Sequence, residues 1–181
     1  MLILIHSGIV TVLIALSLLI FGLLVGAIMM LLSVLGGAQL VTTSKAAWPL
    51  IIDLAGLKPA EVFVELGSGF GYVSGYVARS TPARVIGIDL APLWVWLARL
   101  IQGGSGANFR IGNVFATDLK MTDVVYCYLL PPMLTKLENK FEVELQPGSR
   151  VITYGFPLTT RRPHRVIERT ATHGPLYCYH Y

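Results

Sequence analysis

The sequence predicts an α/β fold, a doubly wound parallel sheet preceded by one membrane-spanning helix, on three observations. The first is a short apolar run, Val62-Phe63-Val64-Glu65-Leu66, that enters Gly67, Gly69 and Gly71 and then a helical pattern. A run of that length, apolar and rich in β-branched residues, reads as a strand buried on both faces of a parallel sheet. The second is Arg84-Val85-Ile86-Gly87-Ile88-Asp89. It is another strand, and its acid lies about twenty residues past the glycines, where doubly wound sheets hold a ribose hydroxyl pair. The third is the absence of Asp, Glu, Lys and Arg between Leu2 and Ser44.

The third observation divides the chain. Of its 181 residues, 54% are hydrophobic and only 13% charged, too apolar for an ordinary soluble domain. The excess sits at one end, so residues 1–44 are expected to be a membrane anchor and residues 45–181 a soluble domain. Roughly 20 apolar residues cross a bilayer, and the stretch 9–35 exceeds that as a single span. A cleavable signal would need a basic start and a shorter apolar core. Every Lys and Arg lies at Lys45 or beyond, which puts the domain on the cytoplasmic, or matrix-equivalent, side. Gly22 and Gly26 form a G-x-x-x-G pair that would suit a homo-oligomer, although glycines are also simply tolerated in such helices. The net charge of +4 does not imply nucleic acid, because the basic residues are dispersed among ten acids. Only Arg161-Arg162-Pro163-His164-Arg165 forms a patch, readable as a lipid-headgroup contact or as a solvated loop.

The domain's elements follow in order. Ala46–Leu57 reads as an amphipathic helix with Leu50, Ile51 and Leu54 on one face, Pro49 in its first turn and Gly56 near its end. The first strand and glycine turn lead into a helix over Tyr72–Arg79, and Pro82 precedes the second strand. Pro92–Ile101 is a helix with almost no polar face, its one charge being Arg99. Core packing explains one side; the other, through Trp96, is expected to meet the membrane interface or a partner. Asn108–Ile111 is a third strand and Asp123–Leu130 a fourth. Pro131-Pro132 then opens a helix with Leu134, Leu137, Phe141 and Leu145 inward. Its outer face is expected to carry Lys136, Glu138, Lys140, Glu142 and Glu144. Arg150–Tyr154 is the fifth strand, and Arg165–Arg169 with Leu176–Tyr179 a terminal hairpin.

Chemistry concentrates at the glycine corner. A dinucleotide fingerprint would place glycine where Tyr72 stands. The observed form is instead acid-x-G-x-G-x-G from Glu65, which resembles the first motif of class I S-adenosylmethionine-dependent methyltransferases. That ligand carries an ammonium group for a strand-tip carboxylate and no pyrophosphate for a helix N-terminus. The resemblance implies a doubly wound Rossmann-like class I methyltransferase sheet. Its cofactor site would comprise Glu65, Gly67, Ser68, Gly69, Gly71 and Tyr72 from the first corner, Asp89 and Leu90 from the second, and Asn113 and Val114 from the third. Asn113 would face the adenine edge or stabilise a turn.

A narrower resemblance rests on Asp123-Val124-Val125-Tyr126, Leu129-Leu130-Pro131-Pro132-Met133, Lys136-Leu137-Glu138, Glu144-Leu145-Gln146-Pro147-Gly148-Ser149-Arg150-Val151-Ile152 and Phe156-Pro157. These are similar to the membrane-anchored protein-lysine methyltransferases that modify the c-ring protein of ATP synthase and the adenine nucleotide translocase. The family usually carries an acid and then a base in the glycine loop; Phe70 and Tyr72 stand there. The resemblance implies a lysine acceptor in a small membrane protein, approached near Tyr128 and Pro131 at the end of the fourth strand. A lipid-soluble small-molecule acceptor and a catalytically silent cofactor-binding module are the alternatives. Cys127 and Cys178 read as buried thiols, the four histidines are scattered, and no metal site is expected.

Overall fold

The computed structural model describes residues 2–35 and 42–181, with side chains in the first helix described at 10–28 and 31. The chain forms two compact units, Met1–Gly36 and Gly37–Tyr181. The first holds helix α1, Leu2–Leu35. Its stretch Val10–Ile28 has a mean hydropathy of 2.7 and is not buried, so it is long and apolar enough to cross a bilayer. Gly22 and Gly26 have open space where a Cβ would stand.

The second unit contains helices α2 (Trp48–Ala55), α3 (Tyr72–Ser80), α4 (Pro92–Gln102) and α5 (Pro131–Glu144). Its strands are β1 (Val62–Leu66), β2 (Arg84–Asp89), β3 (Asn108–Ile111), β4 (Val124–Cys127), β5 (Arg150–Tyr154), β6 (Arg165–Ile167) and β7 (Leu176–His180). Among the described residues these seven strands make one sheet in the order β3-β2-β1-β4-β5-β7-β6. β1 to β5 run parallel, and β7 inserts antiparallel between β5 and β6. This is the doubly wound arrangement expected, with the terminal hairpin extending one side.

Alternation along β1 builds two cores. Phe63 faces α2 and α3 with Ile51, Val77, Tyr126 and Ile152; Val64 and Leu66 face α5 with Leu137 and Phe141. The expected helix from Ala46 begins instead as a 3₁₀ turn, Lys45–Ala47, and becomes α-helical at Trp48, with Pro49 in the first turn. It ends at Gly56 in the left-handed region, where Arg150 Nη1 donates to Ala55 O at 2.6 Å and Arg150 Nη2 pairs with Glu61 at 2.8 Å. A cation on the last carbonyls satisfies a helix C-terminus and its dipole.

One expectation is corrected. Glu138 lies on the buried side of α5 at 1% exposure, not on the charged outer face. Its carboxylate collects donors from Thr159 and Thr160 in the loop after β5, which makes a buried charge tolerable there. Two arginines of the basic patch are paired. Arg161 pairs with Glu142 at 2.9 Å and stacks over Tyr181, and Arg165 pairs with Asp53.

Thr43 and Ser44, which the sequence put with the anchor, bond to the second unit. Thr43 Oγ1 lies 2.5 Å from the hydroxyl of fully buried Tyr126, and Ser44 Oγ donates to Thr172 O at 2.6 Å. Thr43→Val strands that hydroxyl and is expected to lower stability by about 1–2 kcal/mol, whereas adding Tyr126→Phe restores most of it. Chemical denaturation of the four members of the cycle measures this, and additive losses would contradict it.

Candidate active site

The carboxyl ends of β1, β2 and β4 meet around the glycine corner. Gly67, Gly69 and Gly71 have φ values of +79°, +49° and +70°, all in the left-handed region. A Cβ on Gly71 would stand 2.3 Å from the Phe109 ring, whereas one on Gly69 would meet nothing within 4 Å. The third glycine is thus demanded by packing, and the second leaves its backbone open to a ligand. The N–H groups of Gly67 and Ser68 both donate to Ile88 O, at 2.8 and 2.9 Å, which ties the loop to β2.

Asp89 closes the same corner. Its Oδ2 accepts from Gly69 N at 2.8 Å and its Oδ1 from Ala91 N at 3.0 Å. Each oxygen keeps a further lone pair, so the residue shapes the loop and can still accept from a hydroxyl. Asp89 O also receives Gly112 N at 2.9 Å, bringing the turn at Asn113 alongside. There Asn113 Oδ1 accepts from Phe115 N at 2.9 Å, the turn-stabilising role, and Val114 is buried beneath with Leu66 and Ile88. Leu90 is 61% exposed.

Glu65 is held in a way the sequence did not signal. It is 5% exposed, and its Oε2 accepts from the backbone N–H and the hydroxyl of Ser74, at 2.9 and 2.5 Å. Burial pushes its pKa up to about 7 against the pull of the Ser74 bonds, with the Asp89 charge adding to the rise. Ser74, the polar residue in the first turn of α3, was the available clue. Ser68 Oγ is buried and meets no hydrogen-bond partner among the described residues. Phe70 and Tyr72 pack with each other at 5.9 Å, and Phe70 reaches Trp94 at 5.0 Å. An aromatic contact thus stands where the resemblance implied an acid and a base.

β4 ends at Cys127, earlier than expected, and Leu129 continues the core against Gly67. Tyr128 points to the opposite face, edge-on to Tyr154 at 4.8 Å and against Gly155. Burial raises its pKa above the usual phenol value. Pro131 is the exposed first residue of α5, and the carbonyl of Leu130 is taken by Met133 N and Leu134 N. That carbonyl is committed to starting the helix. Cys127 and Cys178 are buried free thiols, and burial pushes the Cys127 pKa to about 12. Among the described residues no cluster of His, Cys, Asp and Glu is positioned to hold a metal.

Comparison with known proteins agrees with this geometry. The chain is 32% identical over 116 residues to a Rattus norvegicus lysine N-methyltransferase that acts on the c-ring protein of ATP synthase, covering 61% of this chain and 51% of that protein. It is 30% identical over 121 residues to an adenine nucleotide translocase lysine N-methyltransferase from Mus musculus, covering 65% and 52%. The chain thus spans about half the length of these curated relatives. Among solved structures, an RNA methyltransferase from Salinibacter ruber in complex with S-adenosyl-L-homocysteine superposes with a TM-score of 0.73 at 30% identity. That match covers 77% of this chain and 93% of the other. The ANTKMT methyltransferase domain matches residues 65–165, from the acid of the glycine corner to the start of β6. Since that stretch is more than half of the sequence, the chain belongs to the ANTKMT methyltransferase domain family.

Proposed function

We propose that this protein transfers a methyl group from S-adenosylmethionine to a lysine of a small membrane protein, from a domain tethered to the bilayer by α1. The observation that carries it is the corner of buried Glu65, unpartnered Ser68 Oγ and open Gly69 at the carboxyl end of the sheet. Family membership and the lysine acceptors named for the two relatives support it further.

The residues fit that cofactor. A carboxyl kept poorly solvated is stabilised when a cation arrives beside it, which is the relation Glu65 would have to the ligand's ammonium. Asp89 would accept the ribose hydroxyls, Gly69 would allow close backbone approach, and Ser68 Oγ would gain the partner it lacks. Asn113 and Val114, in the neighbouring turn, would flank the base. When bound, S-adenosylmethionine supplies an electrophilic methyl group on a positively charged sulfur.

The protein's task at the acceptor end is orientation, desolvation and deprotonation of the amine. Tyr128 stays protonated, because burial raises its pKa, so it does not serve as the base. Its ring face attracts the ammonium form of lysine and its hydroxyl oxygen accepts from the amine. Pro131 borders that approach at the head of α5. The proton leaves to water from the amine, a loss that the positive charge of a bound sulfonium would favour.

Purified membranes incubated with the full-length protein and methyl-labelled S-adenosylmethionine test the reading. Label is expected in a small protein band and, after hydrolysis, in methyllysine. Label in the organic phase would show a lipid-soluble acceptor. Label in RNA, the acceptor named for the Salinibacter ruber protein, would overturn the lysine assignment. No transfer despite measured nucleoside binding would identify a silent module, the reading that Phe70 and Tyr72 favour.

A further inference from the structure

The outward side of α4 carries apolar residues that the domain does not use. Leu93 is 38% exposed, Trp96 63% and Leu100 80%, at spacings of three and four residues, and Leu90 precedes them at 61%. The inward side is satisfied by Val95 and Ala98 against Phe109. A helix with a packed face and a second apolar face has surface left for another medium.

On the same helix, Trp94 begins a row of rings within the domain. Trp94 contacts Phe70 at 5.0 Å, Phe70 contacts Tyr72 at 5.9 Å, and Tyr72 stacks on Trp48 at 6.3 Å. Trp48 Nε1 donates to Thr43 O at 3.2 Å, where the segment from α1 joins the domain. Trp and Tyr favour the headgroup level of a bilayer, where ring and polar tip meet different surroundings. Thr43 follows Leu35 by eight residues, a reach of at most about 29 Å. Pro92–Gln102 contains no acid to repel anionic lipid, and its one cation, Arg99, is turned to Phe109 O at 2.6 Å.

We propose that this aromatic and apolar edge is a docking surface for the lipid bilayer, seating the glycine corner beside the membrane interface. The inference rests on the reading of α1 as a membrane tether and adds a second, reversible contact to it. A domain docked in this way meets acceptor lysines at the level of the headgroups. It also limits which lysines along a membrane protein's height can be reached.

The chain's three tryptophans, Trp48, Trp94 and Trp96, all lie in the domain and none in α1, so their emission reports on the domain alone. The full-length protein is reconstituted into phosphatidylcholine liposomes with and without brominated acyl chains, and flotation after an alkaline wash checks the tether. Brominated lipid is expected to reduce emission by about half, with Trp96→Phe removing most of that effect and aqueous iodide reaching Trp96 poorly. Trp96→Glu is expected to cut label transfer to a bilayer-embedded acceptor about tenfold while leaving nucleoside affinity unchanged. Protein that floats but is quenched by iodide and not by bromine overturns the docking and leaves the tether standing. Protection of Trp96 from both quenchers means a protein covers the face and also overturns it. Failure to float removes tether and docking together.

Discussion

Binding of S-adenosylmethionine or its demethylated product is expected to tighten as pH rises toward about 7, by up to tenfold per pH unit, and then to level off. The cause is Glu65. Its carboxyl is buried, with a pKa pushed up to about 7, so below that pH the free protein holds it protonated. An ammonium beside it favours the carboxylate, and binding at low pH must therefore expel a proton. The same group acts oppositely on folding. Its folded pKa lies above the unfolded value of about 4.5, so its contribution to stability is greatest below that value and declines as pH rises toward about 7. Ligand affinity and fold stability thus move in opposite directions with pH through this one residue. Titration calorimetry at several pH values, in buffers of different ionisation enthalpy, measures both the trend and the proton released. 5′-Methylthioadenosine has no ammonium and should show no such dependence. Glu65→Gln keeps an oxygen for Ser74, so the fold should hold at pH 7, while affinity for the charged ligand falls about 10- to 100-fold and its pH dependence flattens. A wild-type affinity that is flat from pH 6 to 8 would show that Glu65 does not face the ligand's charge.

The contrast between Glu65 and Glu138 shows what could be read in the sequence. Glu65 stood out because it interrupts an apolar strand just before three glycines, a one-dimensional pattern with a three-dimensional meaning. The strands β1, β2 and β5 were legible for the same reason: largely apolar runs bounded by Gly, Pro and acids. β4 is shorter than its apolar run because pairing stops at Cys127 while Leu129 goes on packing against Gly67. Burial outlasts the ladder there, and sequence reports burial. What charge pattern could not show is which charges find partners from distant segments. Arg161 and Arg165 read as a patch, yet Glu142 and Asp53 lie far from them in sequence and next to them in the fold. Glu138 did carry a signal, since it sits four residues after Leu134 and three before Phe141, on the core stripe. Only the donors that make its burial tolerable, Thr159 and Thr160, lay beyond the reach of periodicity.

Replacing Glu138 is accordingly expected to be among the most damaging single changes in the domain. Four donors converge on its carboxylate: Thr159 N at 2.5 Å, Thr159 Oγ1 at 2.9 Å, Thr160 N at 2.7 Å and Thr160 Oγ1. Burial works against ionisation, but these bonds outweigh it and hold the pKa below the usual carboxylate value. Glu138→Ala removes the acceptor for all four and is expected to cost about 3 kcal/mol. Glu138→Gln is not conservative. Its amide nitrogen would face the Thr160 N–H, donor against donor, for a loss of about 2 kcal/mol. Since the folded pKa is depressed, the carboxylate's contribution is fully present above about 4.5 and lost as pH falls through the folded value. The loop it clamps also leaves β5 beside Tyr128, where Thr153 Oγ1 donates to Phe156 O at 2.6 Å and Leu158 N donates to Tyr179 Oη at 2.8 Å. Loosening that loop should slow transfer to the acceptor more than it weakens nucleoside binding, because Glu65, Ser68 and Asp89 belong to other segments. Denaturant unfolding at pH 7 and pH 4, together with single-turnover transfer at saturating nucleoside, separates the two effects. Equal stability of Glu138→Gln and wild type at pH 7 would mean that the four donors find other acceptors and that the clamp does not hold the loop.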